Sequence, residues 1–157
     1  IAMLAGEVAN VSTAKMGGGS TLGIGAGVTW TSASTLTMHG GKAVLNARPT
    51  TLAMKNGAQV TVAKDELTWP TITMQGGSTM KWLAGGTITL VEMTTGSVLD
   101  KSADLRALTI TNSTLDGDTC VINDPDNTIT FTNPVTVNQR VTSGPFRFTG
   151  SKSVSIL

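Results

Sequence analysis

Apolar and small polar residues alternate in short segments along most of the chain. Six segments share the pattern apolar, small, apolar, and threonine precedes five of them. These segments are Leu36-Thr37-Met38, Leu52-Ala53-Met54, Ile72-Thr73-Met74, Ile88-Thr89-Leu90, Leu108-Thr109-Ile110 and Ile129-Thr130-Phe131. A period of two is typical of a β-strand, and no segment has the i, i+3, i+4, i+7 spacing of an amphipathic helix. The pattern therefore predicts an all-β protein.

The six segments form an internal repeat, because their first residues lie 16, 20, 16, 20 and 21 positions apart. In three units a glycine turn follows at the same offset, beginning at His39, Lys55 and Gln75. Six residues after the methionine of each of these units comes another apolar residue: Val44, Val60 or Met80. Each unit is thus predicted to contain a strand, a turn and a second strand. A degenerate copy at Leu22-Gly23-Ile24 would bring the number of units to about seven.

Repeats of this length predict a β-solenoid, in which equivalent side chains of successive coils stack in ladders. We expect a right-handed parallel β-helix of about six or seven coils, since parallel crossovers are nearly always right-handed. The expected interior ladders are Leu36, Leu52, Ile72, Ile88, Leu108 and Ile129, and Met38, Met54, Met74, Leu90, Ile110 and Phe131. The expected exterior row is Thr37, Thr73, Thr89, Thr109 and Thr130. A β-sandwich would not explain the matched offsets, and a left-handed hexapeptide helix would need a steady period of six.

The two ends of the chain differ from the repeats. We expect one domain in which residues 1–20 form an N-terminal cap, residues 21–138 the solenoid, and residues 139–157 a C-terminal cap or subunit-contact segment. Such ends are expected because an open terminal coil exposes apolar interior and unpaired backbone. Phe146 and Phe148 alternate with polar residues, which predicts that they close the stack or contact another copy of the chain.

Composition excludes several classes of function. Charged residues make up 13% of the chain, against a usual share of roughly 25%, while 27 Thr and 12 Ser supply small hydroxyls. The net charge of +1 lacks the basic excess of a nucleic-acid binder, and no apolar run approaches the ~18 residues of a membrane span. Low charge suits a solenoid, because like charges repel on stacked strands whereas Thr–Thr pairs are favourable.

Few residues are candidates for nucleophilic or metal chemistry. His39 is the only histidine, and its turn position is taken by Lys55 and Gln75 in other units, which favours an exposed turn residue. Cys120, the only cysteine, lies in an apolar segment and is expected to be a buried thiol. The glycine-rich residues 17–27 lack the lysine and the following helix of a phosphate-binding loop. We therefore expect no enzymatic activity and no cofactor.

Four acidic pairs could supply carboxylates for glycoside cleavage or a cation site: Asp65/Glu66, Asp100/Asp104, Asp116/Asp118 and Asp124/Asp126. Glycosidases need two carboxyl groups about 5–9.5 Å apart across a cleft. Here the residues lie among turn-forming ones, where Asp and Asn hydrogen-bond the nearby backbone. Solvated turns are the favoured interpretation, and a metal or catalytic site is the alternative.

The three tryptophans are candidates for contacts with a sugar or a protein. Trp82 aligns with Val62 of the preceding unit and Trp30 ends a predicted strand, so both are expected at the margin of the core. Trp69 lies in the insertion of a 20-residue unit, and with Phe146 and Phe148 it is an interface candidate.

The repeated threonine-apolar strands with Gly-Gly or Asn-Gly turns over residues 21–138 resemble the β-helical structural proteins of tailed bacteriophage virions. These include capsid decoration (cement) proteins and the stems of tail fibres and spikes. The resemblance implies a structural role on the surface of a virion, a homotrimer, and capsid protein as partner. The alternative is a tail fibre, spike or adhesin that recognises host-surface polysaccharide.

Overall fold

The computed structural model describes residues 2–8, 13–30, 34–65, 67–94, 96–116, 120–133, 135–138 and 147–149. These residues form sixteen β-strands and no helix. From β1 to β14 successive strands alternate between two sheets, and all pairings between neighbours are parallel. The chain is therefore a β-solenoid, the parallel β-helix that the repeat predicted. Its right-handed sense stays a prediction.

Each sheet contains eight strands. The first sheet consists of β1 (Ala2–Val8), β3 (Thr21–Trp30), β5 (Lys42–Leu45), β7 (Gln59–Val62), β9 (Thr79–Trp82), β11 (Val98–Asp100), β13 (Val121–Asn123) and β16 (Arg147–Thr149). The second consists of β2 (Thr13–Met16), β4 (Thr35–His39), β6 (Thr51–Lys55), β8 (Leu67–Met74), β10 (Gly86–Thr94), β12 (Leu108–Asp116) and β14 (Ile129–Phe131), with β15 (Val135–Asn138) also pairing with β12. From β2 to β12 the chain completes five turns, and the remaining strands add incomplete coils at both ends.

The core lies between the two sheets and is built from ladders of apolar side chains. The first sheet contributes Leu22, Ala43, Val60, Met80, Leu99 and Ile122, all stacked in register and buried. The second contributes Met38, Met54, Met74, Met93 and Leu115, which are also stacked and buried. Unbranched methionine adapts to the gaps between coils of unequal length.

The predicted interior ladders are right for the first three coils, wrong for the steps from β8 to β10 and from β10 to β12, and right again for the pairs Leu108–Ile129 and Ile110–Phe131. Ile72 stacks on Val91, not on Ile88, and Ile88 stacks on Trp69. The reason is that β8, β10 and β12 are eight or nine residues long and bend. The part of each strand before the bend forms a third side of these coils, and the part after the bend stacks on the earlier strands of the second sheet. At the bend of β10 two buried residues, Ile88 and Val91, lie three positions apart instead of two. The segments that begin at Ile88, Leu108 and Ile129 therefore belong to the third side.

The exterior threonine rows are correspondingly divided between two sides. Thr37 and Thr73 lie in one outward row of the second sheet, which continues through Glu92 to Thr114 and Thr136. On the third side a separate row is formed by Thr68, Thr87, Thr109 and Thr130.

Two assignments in the early repeats are wrong by small shifts of register. Val44 points outward and is 45% exposed, because the turn after His39 is one residue shorter than the turn after Lys55. The inward positions of β5 are Ala43 and Leu45 instead. The first copy of the tripeptide is not Leu22-Gly23-Ile24, which belongs to the first sheet. It is Ala14-Lys15-Met16 in β2, which pairs with Leu36-Thr37-Met38.

Residues 1–20 already contain solenoid strands, since β1 pairs with β3 and β2 with β4. At the other end β16 pairs with β13 and brings the Cα of Phe148 beside that of Ile122. Residues 147–149 thus add a strand to the first sheet. The rest of the segment 139–157, including Phe146, lies outside the described residues.

The corner that follows the second sheet is a column of glycines with positive φ. Gly41 (φ 78°) and Gly77 (φ 73°) occupy equivalent left-handed turn positions, which other residues adopt at a cost of about 1–2 kcal/mol. They differ in surroundings, because a Cβ on Gly41 would lie 2.6 Å from the carbonyl oxygen of Ser20, whereas a Cβ on Gly77 would meet nothing within 4 Å.

We expect Gly77→Ala to lower the free energy of unfolding by about 1–2 kcal/mol through backbone strain alone. Gly41→Ala should lower it by clearly more, because the neighbouring coil must also move away from the new methyl group. Urea denaturation followed by circular dichroism measures both. Equal losses in the two variants would contradict this account of the corner.

Candidate contact surfaces around the polar corner

The acidic candidate Asp124 is part of a turn. Asp124 is buried and accepts hydrogen bonds from the Thr128 amide (2.8 Å), the Thr128 hydroxyl (2.9 Å) and the Ile129 amide (2.8 Å). It therefore fixes the turn that leads into β14. Its predicted partner Asp126 is exposed, and Asp116 is half-buried at the end of β12. Glu66 and Asp118 lie outside the described residues.

Within the described ranges, no group of three His, Cys, Asp or Glu side chains is arranged to hold a metal ion. His39 is exposed at the end of β4, where its register partner is Lys55, as the turn interpretation predicted. Cys120 is buried, with Sγ 3.9 Å from the carbonyl oxygen of Asp116, so the prediction of a buried thiol is confirmed.

Trp69 is not an exposed interface residue, because its side chain is fully buried. It takes an inward position on the third side, where it stacks under Ile88 and fills the coil at which the solenoid widens. Its ring packs edge-to-face on Trp82, with 5.7 Å between centroids and 67° between planes. The burial predicted for Trp82 is confirmed. The side chains of Trp30 and Phe148 lie outside the described part of the structure, so the contact role of Phe148, like that of Phe146, stays a prediction.

The structure does bring together one set of charged side chains, at the corner between the first and second sheets. Residues 101–107 form a loop from β11 to β12, which we call the corner loop. Its charged residues Lys101, Asp104 and Arg106 join Asp65, 41 residues earlier in the chain, and these four form the corner network.

Lys101 is the innermost member of the corner network, since its side chain has no exposed surface. Its ammonium group donates to Oδ2 of Asp104 (2.5 Å) and to the backbone carbonyl oxygen of the same residue (2.8 Å). A buried ammonium ion needs such an anionic partner, because transfer out of water is unfavourable for an unpaired charge. The pair thus closes the base of the corner loop.

Arg106 connects the corner loop to two earlier coils. Its Nε donates to Oδ1 of Asp104 (2.7 Å), Nη2 donates to the carbonyl oxygen of Leu83 (2.5 Å), and Nη1 donates to Oδ2 of Asp65. Asp65 is held in turn by the amide of Gly85, at 2.7 Å. The planar guanidinium fork can satisfy these acceptors together, which an ammonium group could not do in the same geometry.

The electrostatics of the corner favour the ionised carboxylates. Burial alone would raise the pKa of Asp104, but the hydrogen bonds from Lys101 and Arg106 outweigh it and hold the pKa below its usual value. Burial also tends to raise the pKa of Asp100. Hydrogen bonds from Ser102 and Asn123, with the nearby charge of Lys81, lower it instead. Both carboxylates are therefore fully charged at neutral pH.

The corner loop carries Leu105 at its outer side, with 73% of the residue exposed. Among the described residues, only Val44 is another large hydrophobic residue that is classed as exposed. The neighbouring Ala103 and Ala107 are exposed as well.

The corner network was not found by sequence reasoning, although Asp65 and Asp104 were among the acidic candidates. The signal that could have indicated it is the pair of basic residues at positions 101 and 106, in a chain with so few charges.

A shallow groove of about 360 Å³ lies at the opposite, glycine-rich corner. Its lining consists of Gly19, Ser20, Thr21, Gly41, Lys42, Gly57 and Gln59. The glycines leave the space open, and hydroxyl, amide and ammonium groups border it.

Comparison with known proteins gives no relative for this chain: no family, no curated protein and no solved structure matches it. The described residues also contain no helix long and apolar enough to cross a membrane.

Proposed function

We propose that the chain is a non-enzymatic structural protein of a bacteriophage virion, a decoration (cement) protein that binds the outside of the capsid and stabilises the head. It acts on the surface of the extracellular particle, as a homotrimer whose partner is the capsid protein. The resemblance of the threonine-rich repeats to β-helical virion proteins suggests this class.

The observation that carries the proposal is the character of the outward side of the second sheet. One row reads Thr13, Thr35, Thr51, Thr71, Leu90 and Asn112, and the next reads Lys15, Thr37, Ala53, Thr73, Glu92, Thr114 and Thr136. Only Lys15 and Glu92 are charged in these two rows, and the same side also carries Lys55 and Asp116 at the ends of β6 and β12. A stack of parallel strands is rigid, and methyl and neutral hydroxyl groups cost less to remove from water than charged groups do. Such a side suits broad contact with another protein better than catalysis in a cleft.

The test uses emptied capsids of the virus that encodes the chain, from which decoration protein has been removed. We expect the added protein to bind at a fixed stoichiometry and to raise the melting temperature of the capsid. A ligand that binds only the native state stabilises that state by about 2.7 kcal/mol when the free ligand concentration is a hundred times the Kd.

Light scattering of the purified chain, with and without residues 139–157, measures the expected trimer and the contribution of this segment.

A matched pair of variants locates the contact. Thr73→Lys adds a charge to the outward side of the second sheet, whereas Thr61→Lys adds the same charge to the outward side of the first. We expect only the former to weaken capsid binding markedly. Full-strength binding by the Thr73 variant would contradict the assignment of this side, and absence of binding by the unmodified chain would contradict the proposed function.

The second candidate function is recognition of host-surface polysaccharide by a tail fibre, spike or adhesin. The groove at the glycine corner favours it, because hydroxyl, amide and ammonium groups are suitable partners for sugar hydroxyls and acidic sugars. Glycan binding by the isolated chain, lost in Gly57→Asn and kept in Gly77→Asn, would support this function over the first. Both glycines have a φ of 73°, and only Gly57 lines the groove.

A further inference from the structure

The apolar ladders lose burial toward the C-terminal end of the solenoid. β14 lies at the end of the second sheet in the described structure, where it pairs with β12. Ile88 and Ile110 have no exposed surface, whereas Phe131, which continues their ladder, is only half-buried. Val135 of β15 is half-buried as well. A solenoid needs a cap at such an end, because apolar side chains of the terminal coil otherwise face water.

The path of the chain indicates which segment can lie beyond β14. In the later coils the chain leaves the first sheet at β9, β11 or β13 and reaches the third side after a connection of three, seven or five residues, at 83–85, 101–107 and 124–128. The last described strand of the first sheet is β16, which stacks on β13. By the same path, the residues that follow Thr149 reach the third side next, one coil beyond β14.

The sequence after β16 repeats the pattern of the earlier strands on the third side. Residues 150–157, which lie outside the described residues, read Gly-Ser-Lys-Ser-Val-Ser-Ile-Leu. Val154-Ser155-Ile156 has the same apolar, small, apolar order as Ile129-Thr130-Phe131 of β14. A connection of four residues, 150–153, precedes it, which is within the range of three to seven residues found in the earlier coils.

The register of the neighbouring strands agrees with this alignment. Ile122 of β13 stacks on Phe148 of β16, 26 residues later in the chain. Val154 comes 25 residues after Ile129. The difference of one residue equals the difference between the connection of five residues before β14 and that of four residues before Val154. Because side chains alternate between the two faces of a strand, both apolar residues of the tripeptide then take inward positions.

We propose that Val154-Ser155-Ile156 forms a further parallel strand on β14 and closes the C-terminal end of the solenoid. Its two apolar residues stack on Ile129 and on the half-buried Phe131. Ser155 continues the outer threonine row of the third side, where hydroxyl pairs between strands are favourable. The occupant is this segment and not a second copy, because a connection of four residues holds it beside β14 at a high effective concentration. A short terminal strand also offers other copies less edge to pair with.

Disulfide formation tests both the position and the register of this strand. Directly opposed residues of neighbouring parallel strands lie about 4.8 Å apart, within the Cα separation of about 4.4–6.8 Å that a disulfide spans. In a Cys120→Ala background, Thr130→Cys with Ser155→Cys should therefore lose both thiols to a disulfide within one chain under mild oxidation. Thr130→Cys with Ser153→Cys is the matched control. Its two positions are two residues out of register, about 8 Å apart in a parallel sheet, so most of its thiols should stay free. Mass spectrometry of the unreduced protein measures both.

A disulfide within one chain that forms only with Ser155→Cys supports the proposal. A disulfide between two chains would overturn it in favour of a second copy, and equal oxidation of both variants, or of neither, would overturn it as well.

Thermal unfolding of the full chain gives an independent measurement. Ile156→Asp, at an inward position, should lower the melting temperature by about 4–8 °C, whereas Ser155→Asp, at an outward position, should lower it by less than about 2 °C. Equal shifts in the two variants would contradict the proposed strand. Both measurements use the chain alone, so their outcome is independent of either candidate function.

Discussion

Replacing Ile88 by aspartate is expected to abolish folding of the chain. Ile88 has no exposed surface and lies in a ladder between Trp69 and Ile110. A carboxylate at this position would lose its hydration between two apolar ladder neighbours, neither of which offers it a charge partner. Burial of an unpaired charge is very unfavourable, and an isolated domain has only about 5–15 kcal/mol of stability with which to offset it. Met54→Asp, in the methionine ladder, should have the same result.

The neighbouring residue supplies the control. Thr89 is exposed, so Thr89→Asp places the same carboxylate in water one position along the same strand. We expect this variant to keep the β-type far-UV circular dichroism spectrum and to lose no more than about 1 kcal/mol of stability. A folded Ile88→Asp protein, or an equally damaged Thr89→Asp protein, would mean that the inward and outward assignments of β10 are wrong.

The class of fold was predictable because the information for it is local and repeated. Alternation of apolar and small residues identifies strands, and recurrence of the same tripeptide before a glycine turn identifies stacked coils. The buried Leu36, Leu52 and Ile72 and the methionines that follow them were assigned correctly on this basis alone.

The register of later coils was not predictable from the tripeptides, because two sides of the solenoid carry the same pattern. The segment at Ile88 matches the segment at Ile72 in sequence but stacks on Trp69. Only the bend in β8, where Pro70 follows Trp69, separates the two sides, and a single extra residue at a bend has no distinctive sequence. The misplacement of Val44 has the same origin, since the turn before it is shorter by one residue.

The polar corner was only partly predictable for a different reason. Asp65 and Arg106 meet because three successive coils bring positions far apart in sequence to one corner. Nothing in the local sequence of either residue indicates the other. Asp104 could be identified as a candidate carboxylate, but its role in neutralising a buried lysine depends on the path of the loop.

The corner network leads to the second prediction of large effect. Asp104→Ala should lower the free energy of unfolding by about 3–5 kcal/mol, because it leaves the ammonium group of Lys101 buried with its anionic partner removed. The backbone carbonyl of residue 104 still accepts from Lys101, which places the loss toward the lower end of this range. Asp126→Ala is the control, since Asp126 is exposed, and it should change stability by less than about 0.5 kcal/mol.

A double variant separates the lost charge pair from the lost side chain. In Lys101→Met with Asp104→Ala, the buried cation is replaced by an apolar chain of similar length, and most of the lost stability should return. Urea denaturation of the two single variants and the double variant gives the coupling free energy directly. Additive losses, with no recovery in the double variant, would show that Lys101 and Asp104 do not act as a pair.

The same pair predicts the direction of acid sensitivity. The pKa of Asp104 is lower in the folded chain than in the unfolded chain, so its contribution to stability is complete above the unfolded value of about 3.9 and is lost as the pH falls through the folded value. Asp100 has a pKa lowered in the same direction and adds to the effect. We therefore expect these two carboxylates to make no difference to the pH dependence of the free energy of unfolding near neutral pH. Below about pH 4 they should make the free energy of unfolding fall steeply as the pH decreases. The double variant should show a shallower fall, because its corner no longer contains a buried cation that needs the carboxylate of Asp104. An identical acid profile for the double variant and the unmodified chain would assign the acid sensitivity to carboxylates other than Asp104.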